Sequence, residues 1–182
     1  APDGCVKSRW AGTPGDAMPG SYDAHGFYEA QWGYLMDSQP SWVINVAELF
    51  DFNGDQAWLA RQKAACERAL EYLLRRDANG NGLVEMLTDS HRQARGSDWI
   101  DVVWAAHENA LVNAQMFWAL TLWADCEELL GDTANAARYR VAAKRLQASF
   151  NQPVSEGGFW APRNKWFVYW RDKDGSVHGH NI

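Results

Sequence analysis

The chain repeats one short break between two helix-like segments. Gly54-Asp55 and Gly131-Asp132 lie 77 positions apart, and each pair follows an apolar segment with acidic residues near its end and precedes an alanine-rich one. So short a break joins two antiparallel helices into a hairpin. Two hairpins, each followed by a long loop, predict a helical-hairpin array with a longer period than common helical solenoids. The alternative is two hairpins that are alike only through amphipathic bias.

Apolar spacing divides the chain into hairpins and loops. It places the first hairpin at about 39–76 and the second at about 107–150, separated by a loop at 77–104 and followed by a loop at 151–182. A short helix is expected near 27–35. Aromatic pairs in the last segment predict a short β-hairpin near the C-terminus. The sequence therefore predicts one all-α domain with long aromatic loops.

Composition and charge exclude several classes of protein. The 182 residues include 11 Trp, 7 Phe and 6 Tyr, which is too aromatic for a disordered chain. A net charge of −6 without a run of basic residues argues against nucleic acid as a partner. No apolar stretch is long enough to span a membrane, so a soluble protein is expected. Three widely spaced cysteines do not indicate whether the protein works in an oxidising or a reducing compartment.

Four motifs together resemble bacterial six-hairpin, or (α/α)6, glycosidases. They are Asp37-Ser-Gln-Pro40, Asn79-Gly-Asn-Gly-Leu-Val-Glu85, Asp98-Trp-Ile-Asp101 and Tyr169-Trp-Arg-Asp-Lys-Asp-Gly175, and the resemblance covers most of residues 20–182. Proteins of that class close six hairpins into a ring whose loops form a sugar pocket. Six hairpins need about 400 residues. The resemblance therefore implies a partial (α/α)6 toroid, with further hairpins of the same domain expected from sequence missing here.

The resemblance implies a glycoside hydrolase that acts on an oligosaccharide. Most hydrolases of the class invert, so it implies inverting cleavage of α-glucosidic or related linkages by carboxylic acid and base. A phosphorylase of the same fold is a close variant, distinguished by a requirement for phosphate. The alternative from another class is a non-catalytic helical-hairpin module that binds glycan or protein through its aromatic loops. No general base is identified, which favours that alternative.

Asp98 and Asp101 are the candidate catalytic residues. Inverting cleavage needs one protonated carboxyl and one carboxylate. Trp99-Ile-Asp101 is similar to the stretch that carries the general acid in glycogen-debranching glucosidases and cellobiose-type phosphorylases, which implies that Asp101 is the acid and Asp98 a ligand of a sugar hydroxyl. Gly96-Ser-Asp98 is similar to the Gly-x-Asp of trehalases and processing glucosidases, which implies instead that Asp98 is the general acid. Local sequence alone also allows both to stabilise a helix N-terminus.

Loop residues of aromatic and polar character are the candidate substrate-binding groups. Trp99 and Trp104 could form an apolar wall that raises a carboxyl pKa. Indoles in loops stack on sugar rings, and the alternative for each of them is packing in the core. Polar groups beside them bind sugar hydroxyls, and the alternative for each of these is a solvated or capping role. The predicted binding residues are Trp99, Trp104, Glu85, Arg95, Trp32 and Trp170.

No metal or other cofactor is predicted. Asp77, Asn79 and Asn81 match the first half of a calcium loop, but Thr88 stands where the loop needs a bidentate carboxylate. Turns held by Asn and Asp side chains explain the same segment without calcium. The sequence His178-Gly-His180 offers no third ligand at a recognised spacing, so a zinc site is not predicted there.

Overall fold

Four helices carry the fold. The computed structural model describes residues 3–6, 20–22, 28–30, 35–94, 98–100 and 103–179. The helices are α1 (Ser38–Asn53), α2 (Gln56–Leu74), α3 (Ala110–Leu129) and α4 (Thr133–Phe150). α1 packs on α2 and α3 packs on α4, while α3 also contacts α1 and α2. The two hairpins therefore lie side by side, with α3 in the middle.

The repeated Gly-Asp pair lies where the chain reverses in both hairpins. Gly54 and Gly131 have φ angles of 65° and 83°, a left-handed conformation that glycine adopts without strain. Asp55 and Asp132 are the N-caps of α2 and α4, and each side chain accepts the backbone N–H three residues further on, at 2.8 Å and 3.1 Å. One residue ends a helix and the next begins another, which explains the sharp reversal.

Burial of α3 organises the hydrophobic core. Met116, Leu120 and Trp123 on this helix are fully buried, and Tyr139 of α4 packs into the same core. α2 presents a buried leucine face toward them. An apolar helix needs partners on several sides, so the position of α3 between the other helices follows from its composition.

An ion-pair cluster links the two hairpins. Lys63 of α2 donates to Asp132 at 2.8 Å and also pairs with Glu127 of α3. The Glu127 side chain is completely buried and additionally accepts the indole N–H of Trp123 at 2.7 Å. A buried carboxylate without such partners costs several kcal/mol. The lysine therefore compensates a charge that belongs to the other hairpin.

Short antiparallel strands occupy the loops. They are β1 (Gly20–Tyr22), β2 (Tyr28–Ala30), β3 (Glu108–Asn109), β4 (Trp160–Ala161), β5 (Trp166–Phe167), β6 (Trp170–Arg171) and β7 (Val177–His178). β1 pairs with β2 and β4 with β5, whereas β3, β6 and β7 form a three-stranded sheet with β6 in the centre. This sheet joins the start of α3 to the C-terminal segment.

The predicted fold class is confirmed in the described residues, which form two helical hairpins and a short β-hairpin in the C-terminal segment, consistent with part of a helical-hairpin toroid. The short helix expected near 27–35 is wrong at residues 28–30, which pair as β2 with β1. α3 begins later than its apolar pattern indicates, because His107 has a φ of 45° and the next two residues pair with β6. Among the described residues, no helix has the length and apolar character needed to cross a membrane.

Two leucines of α3 provide a stability test of this packing. Leu120 is fully buried and Leu129 is 58% exposed. Leu120→Ala should lower the free energy of unfolding by about 2–5 kcal/mol, because it leaves a cavity in the core. Leu129→Ala is the matched control and should change it by less than about 0.5 kcal/mol. Chemical denaturation measures both, and equal losses would contradict the packing described.

Candidate functional site

A buried carboxyl, Asp98, lies at the N-terminal end of α3. Its Oδ2 accepts hydrogen bonds from Asn109 at 2.6 Å and from the Tyr169 hydroxyl at 3.2 Å, and its Oδ1 accepts the backbone N–H of Ile100 at 2.9 Å. The residue is completely buried. Burial raises the pKa of Asp98, although the three hydrogen bonds act in the opposite direction. In this conformation its oxygens face protein donors rather than solvent.

A second buried carboxyl, Asp37, lies close to the first. It occupies the N-cap position of α1, but its side chain makes no capping hydrogen bond. The nearby backbone N–H groups of Asp37 itself and of Trp99 favour its ionised form, while its Oδ1 has no hydrogen-bond partner among the described residues. Burial, with a contribution from the charge of Asp98, raises the pKa of Asp37 to about 6. Two carboxyls at one place hinder each other's ionisation.

The Asn-Gly-Asn-Gly turn is fixed by a third buried carboxylate. Glu108 accepts the side-chain amides of Asn79 and Asn81 at 2.9 Å and 2.6 Å. The side-chain oxygens of both asparagines accept backbone N–H groups within the turn. Asp77 likewise accepts the N–H of Gly82 at 3.1 Å. The two asparagine bonds are Asx-turn hydrogen bonds, the alternative to calcium that the sequence allows.

Two histidines meet an aspartate beside the three-stranded sheet. His91, in a 3₁₀ turn (His91–Gln93), places its Nδ1 2.5 Å from Oδ2 of Asp172, and His178 places its Nε2 3.4 Å from the same oxygen. Burial opposes ionisation of Asp172, but hydrogen bonds from His91 and Ser90 outweigh it, so the pKa of Asp172 is lowered. The Trp170 indole stacks on His178 with ring centroids 4.5 Å apart.

The predicted substrate-binding residues lie in different environments. Trp99 and Trp104 are 63% and 48% exposed, as a sugar-stacking role requires. Trp170 is buried, and its indole contacts His178 and donates to Asp172. Glu85 accepts the backbone N–H of Asn79 at 3.0 Å. Three further predicted residues lie outside the described part of the chain: Asp101, Arg95 and Trp32.

Sequence reasoning did not single out the groups that surround Asp98. Asn109 begins α3 and could have been recognised as its N-cap, because its side chain accepts the N–H of Val112 at 3.2 Å. Tyr169 reaches Asp98 from 71 residues away, and no local pattern indicates that contact. Asp37 is predicted only as the first residue of the motif Asp37-Ser-Gln-Pro40. Its place near Asp98 depends on how the hairpins pack.

Comparison with known families identifies one match. The sequence model of the family described as the bacterial alpha-L-rhamnosidase 6 hairpin glycosidase domain matches residues 7–158. The matched region contains both helical hairpins and the loop between them. The resemblance to six-hairpin glycosidases is thereby confirmed. A comparison with curated proteins finds no match.

The carboxyl pair predicts a pH dependence of stability. The pKa of Asp37 is about 6 in the folded protein against an ordinary 3.8, so the folded state binds this proton more tightly than the unfolded chain. The stabilisation of the folded state by the protonated Asp37 carboxyl is complete below about pH 4 and is lost as the pH rises through 6. Between pH 4 and pH 8, the wild type should therefore lose about 2–3 kcal/mol of unfolding free energy relative to Asp37→Asn.

Urea denaturation at several pH values measures this difference. Asp51→Asn, which removes an exposed carboxyl from the same helix, is the matched control and should follow the wild-type profile. Parallel profiles for the wild type and Asp37→Asn would show that the Asp37 carboxyl is not held in a charge-disfavouring site.

Proposed function

The chain belongs to the bacterial α-L-rhamnosidase six-hairpin glycosidase domain family, and from this premise we propose that it cleaves an α-linked glycosidic bond of an oligosaccharide with inversion. The family gives it a glycoside hydrolase role and a carbohydrate substrate; the linkage and the stereochemistry are our proposal. The family's domain has six helical hairpins, and the described residues form two of this kind. We therefore further propose that additional hairpins complete the ring.

The observation that carries this proposal is the pair of buried carboxyls beside exposed indoles. Inverting hydrolysis requires an acid that stays protonated near neutral pH. Asp37 and Asp98 both have raised pKa values, so this end of the hairpins disfavours carboxylate charge. Trp99 lies next to Asp98 in the chain and exposes its indole on the surface. Carboxyls with raised pKa values beside an exposed indole suit general acid catalysis on a sugar.

We assign the general acid to Asp101 and a positioning role to Asp98. Complete burial of Asp98, with hydrogen bonds to Asn109 and Tyr169, supports a residue that holds the loop rather than one that touches the sugar. Asp101 follows three positions later in the same loop. This choice agrees with the W-x-D resemblance and argues against the rival assignment of the acid to Asp98.

Substitution of the two aspartates tests the assignment. Asp101→Asn should reduce kcat on an alkyl glycoside by about 10²- to 10⁴-fold, because the leaving oxygen loses its proton donor, with an unchanged melting temperature. The same variant should retain activity on a dinitrophenyl glycoside, whose leaving group needs no proton. Asp98→Asn should lower activity on both substrates and also lower the melting temperature. Asp89→Asn, an exposed carboxyl, is the control.

Full activity of Asp101→Asn on the alkyl glycoside would overturn the assignment. The substrate itself is tested with nitrophenyl α-L-rhamnoside and α-D-glucoside. The family description favours the rhamnoside over the α-glucoside that the sequence motifs imply. Proton NMR of the first-formed sugar distinguishes inversion from retention, and a rate that requires phosphate would identify a phosphorylase instead.

A glycan-binding module without catalysis is the second candidate function. The large exposed fractions of Trp99 and Trp104 favour it, because they offer stacking surface in the absence of any chemistry. Binding of an oligosaccharide without turnover by the complete protein would support this function over the hydrolase. Quenching of indole fluorescence measures such binding directly.

We propose that the Asn-Gly-Asn-Gly turn works without calcium. One side-chain oxygen of each of Asp77, Asn79 and Asn81 already accepts an N–H group of the turn, so a cation that used these three oxygens would have to compete with those hydrogen bonds. Addition of millimolar Ca²⁺, or its removal with a calcium-selective chelator, should leave the melting temperature unchanged. A rise with Ca²⁺ that Asp77→Asn abolishes would contradict this proposal.

A further inference from the structure

We propose that His91, Asp172 and His178 form a binding site for a divalent transition-metal ion of the Zn²⁺ class. One ligand atom from each of the three residues lies within 4.8 Å of the other two. His91 comes from the loop between the helical hairpins, whereas Asp172 directly follows β6 and His178 lies in β7. The set therefore forms only when the chain is folded.

The distances suit a tetrahedral site after a small adjustment. Ligand bonds of about 2.0–2.2 Å at Zn²⁺ place neighbouring ligand atoms roughly 3.3–3.5 Å apart. His178 Nε2 and Asp172 Oδ2 are already separated by 3.4 Å. His91 Nδ1, at 2.5 Å from the same oxygen, has to withdraw by roughly 1 Å, and its partly exposed ring lies in a short turn that permits the movement.

Surrounding groups orient the ligands as outer-shell partners do in metal sites. The indole N–H of Trp170 and the backbone N–H of His91 donate to Oδ1 of Asp172, at 3.1 Å and 3.2 Å, and leave Oδ2 directed at both imidazoles. The Ser90 hydroxyl also donates to Oδ2, at 3.0 Å. Trp170 lies nearly parallel to the His178 ring, at 12°, and fixes its plane.

The imidazole nitrogen of His178 gives independent support. Nε2 is buried and makes no hydrogen bond among the described residues, although it faces the Asp172 carboxylate. A buried nitrogen without a partner is costly, and a cation between it and the carboxylate would supply the partner that this nitrogen lacks. Two imidazoles and one carboxylate are donors that suit Zn²⁺ or Co²⁺ better than Ca²⁺ or Mg²⁺.

Such an ion would fasten the turn at His91 to the strands β6 and β7. The same loop continues to Asp98, seven residues after His91, and β6 begins directly after Tyr169. A metal at the three residues would therefore hold in place the loop that carries Asp98. This site is separate from the acid chemistry proposed above and does not depend on it.

Titration of the protein with Co²⁺ tests the site. The wild type should bind one equivalent and develop the intense visible absorption of four-coordinate Co²⁺, which Zn²⁺ should displace. His178→Ala and Asp172→Asn should weaken binding by at least about 100-fold, since each removes a ligand. His91→Gln, on a partly exposed turn, should weaken Co²⁺ binding to the same extent and leave the circular dichroism spectrum unchanged. This variant therefore tests the site even if the other two fail to fold. Asp89→Asn is the matched carboxyl control and should bind like the wild type.

The proposal is overturned if the wild type shows no such absorption, or if His91→Gln binds Co²⁺ as tightly as the wild type. Calorimetric titration with Zn²⁺ provides the same comparison without a spectral probe. Because the readout is metal binding, failure of this test leaves the glycosidase proposal standing, and loss of glycosidase activity leaves the metal site standing.

Discussion

Asn109 connects the helical core to the loops around Asp98. Its side-chain oxygen caps α3, its side-chain amide donates to Asp98, and its carbonyl accepts the amide of Asn113 one turn later. Its backbone lies opposite Trp170 in the sheet. The first residue before the most buried helix is therefore also the residue that holds the candidate site. A shift of α3 would move Asp98 with it, so the packing of the core sets the position of the loop.

The central strand β6 joins two different chemical environments. Tyr169, which precedes it, reaches the carboxyl pair, whereas Asp172, which follows it, meets the two histidines. Side chains point alternately to opposite faces of an extended strand, so neighbouring residues serve separate sites. The carboxyl pair disfavours negative charge, while the histidines and Ser90 favour an ionised Asp172. Two aspartates of one domain thus differ in acidity because of their surroundings alone.

The sequence predicts the helical part well because its signals are local. The Gly-Asp turns depend on the left-handed φ of Gly54 and Gly131 and on caps within three residues, and apolar spacing locates the helices. The site depends on contacts between distant segments: His91 and Asp172 are 81 residues apart. The motif Asp98-Trp-Ile-Asp101 drew attention to the loop in which Asp98 lies, but no local pattern could show that Asp98 is buried or that Asp37 lies beside it. The assignment of the acid to Asp101 stays a prediction.

The Lys63 cluster has a consequence for how such domains can grow. The two hairpins repeat the same Gly-Asp pair, yet they are not interchangeable units, because Glu127 of the second is buried with a cation supplied by the first. A copy of the second hairpin inserted elsewhere in a ring would carry an unbalanced buried charge unless its new neighbour provided a cation at the equivalent position. Insertion or exchange of a single hairpin in this domain is therefore constrained at the boundary with its neighbour.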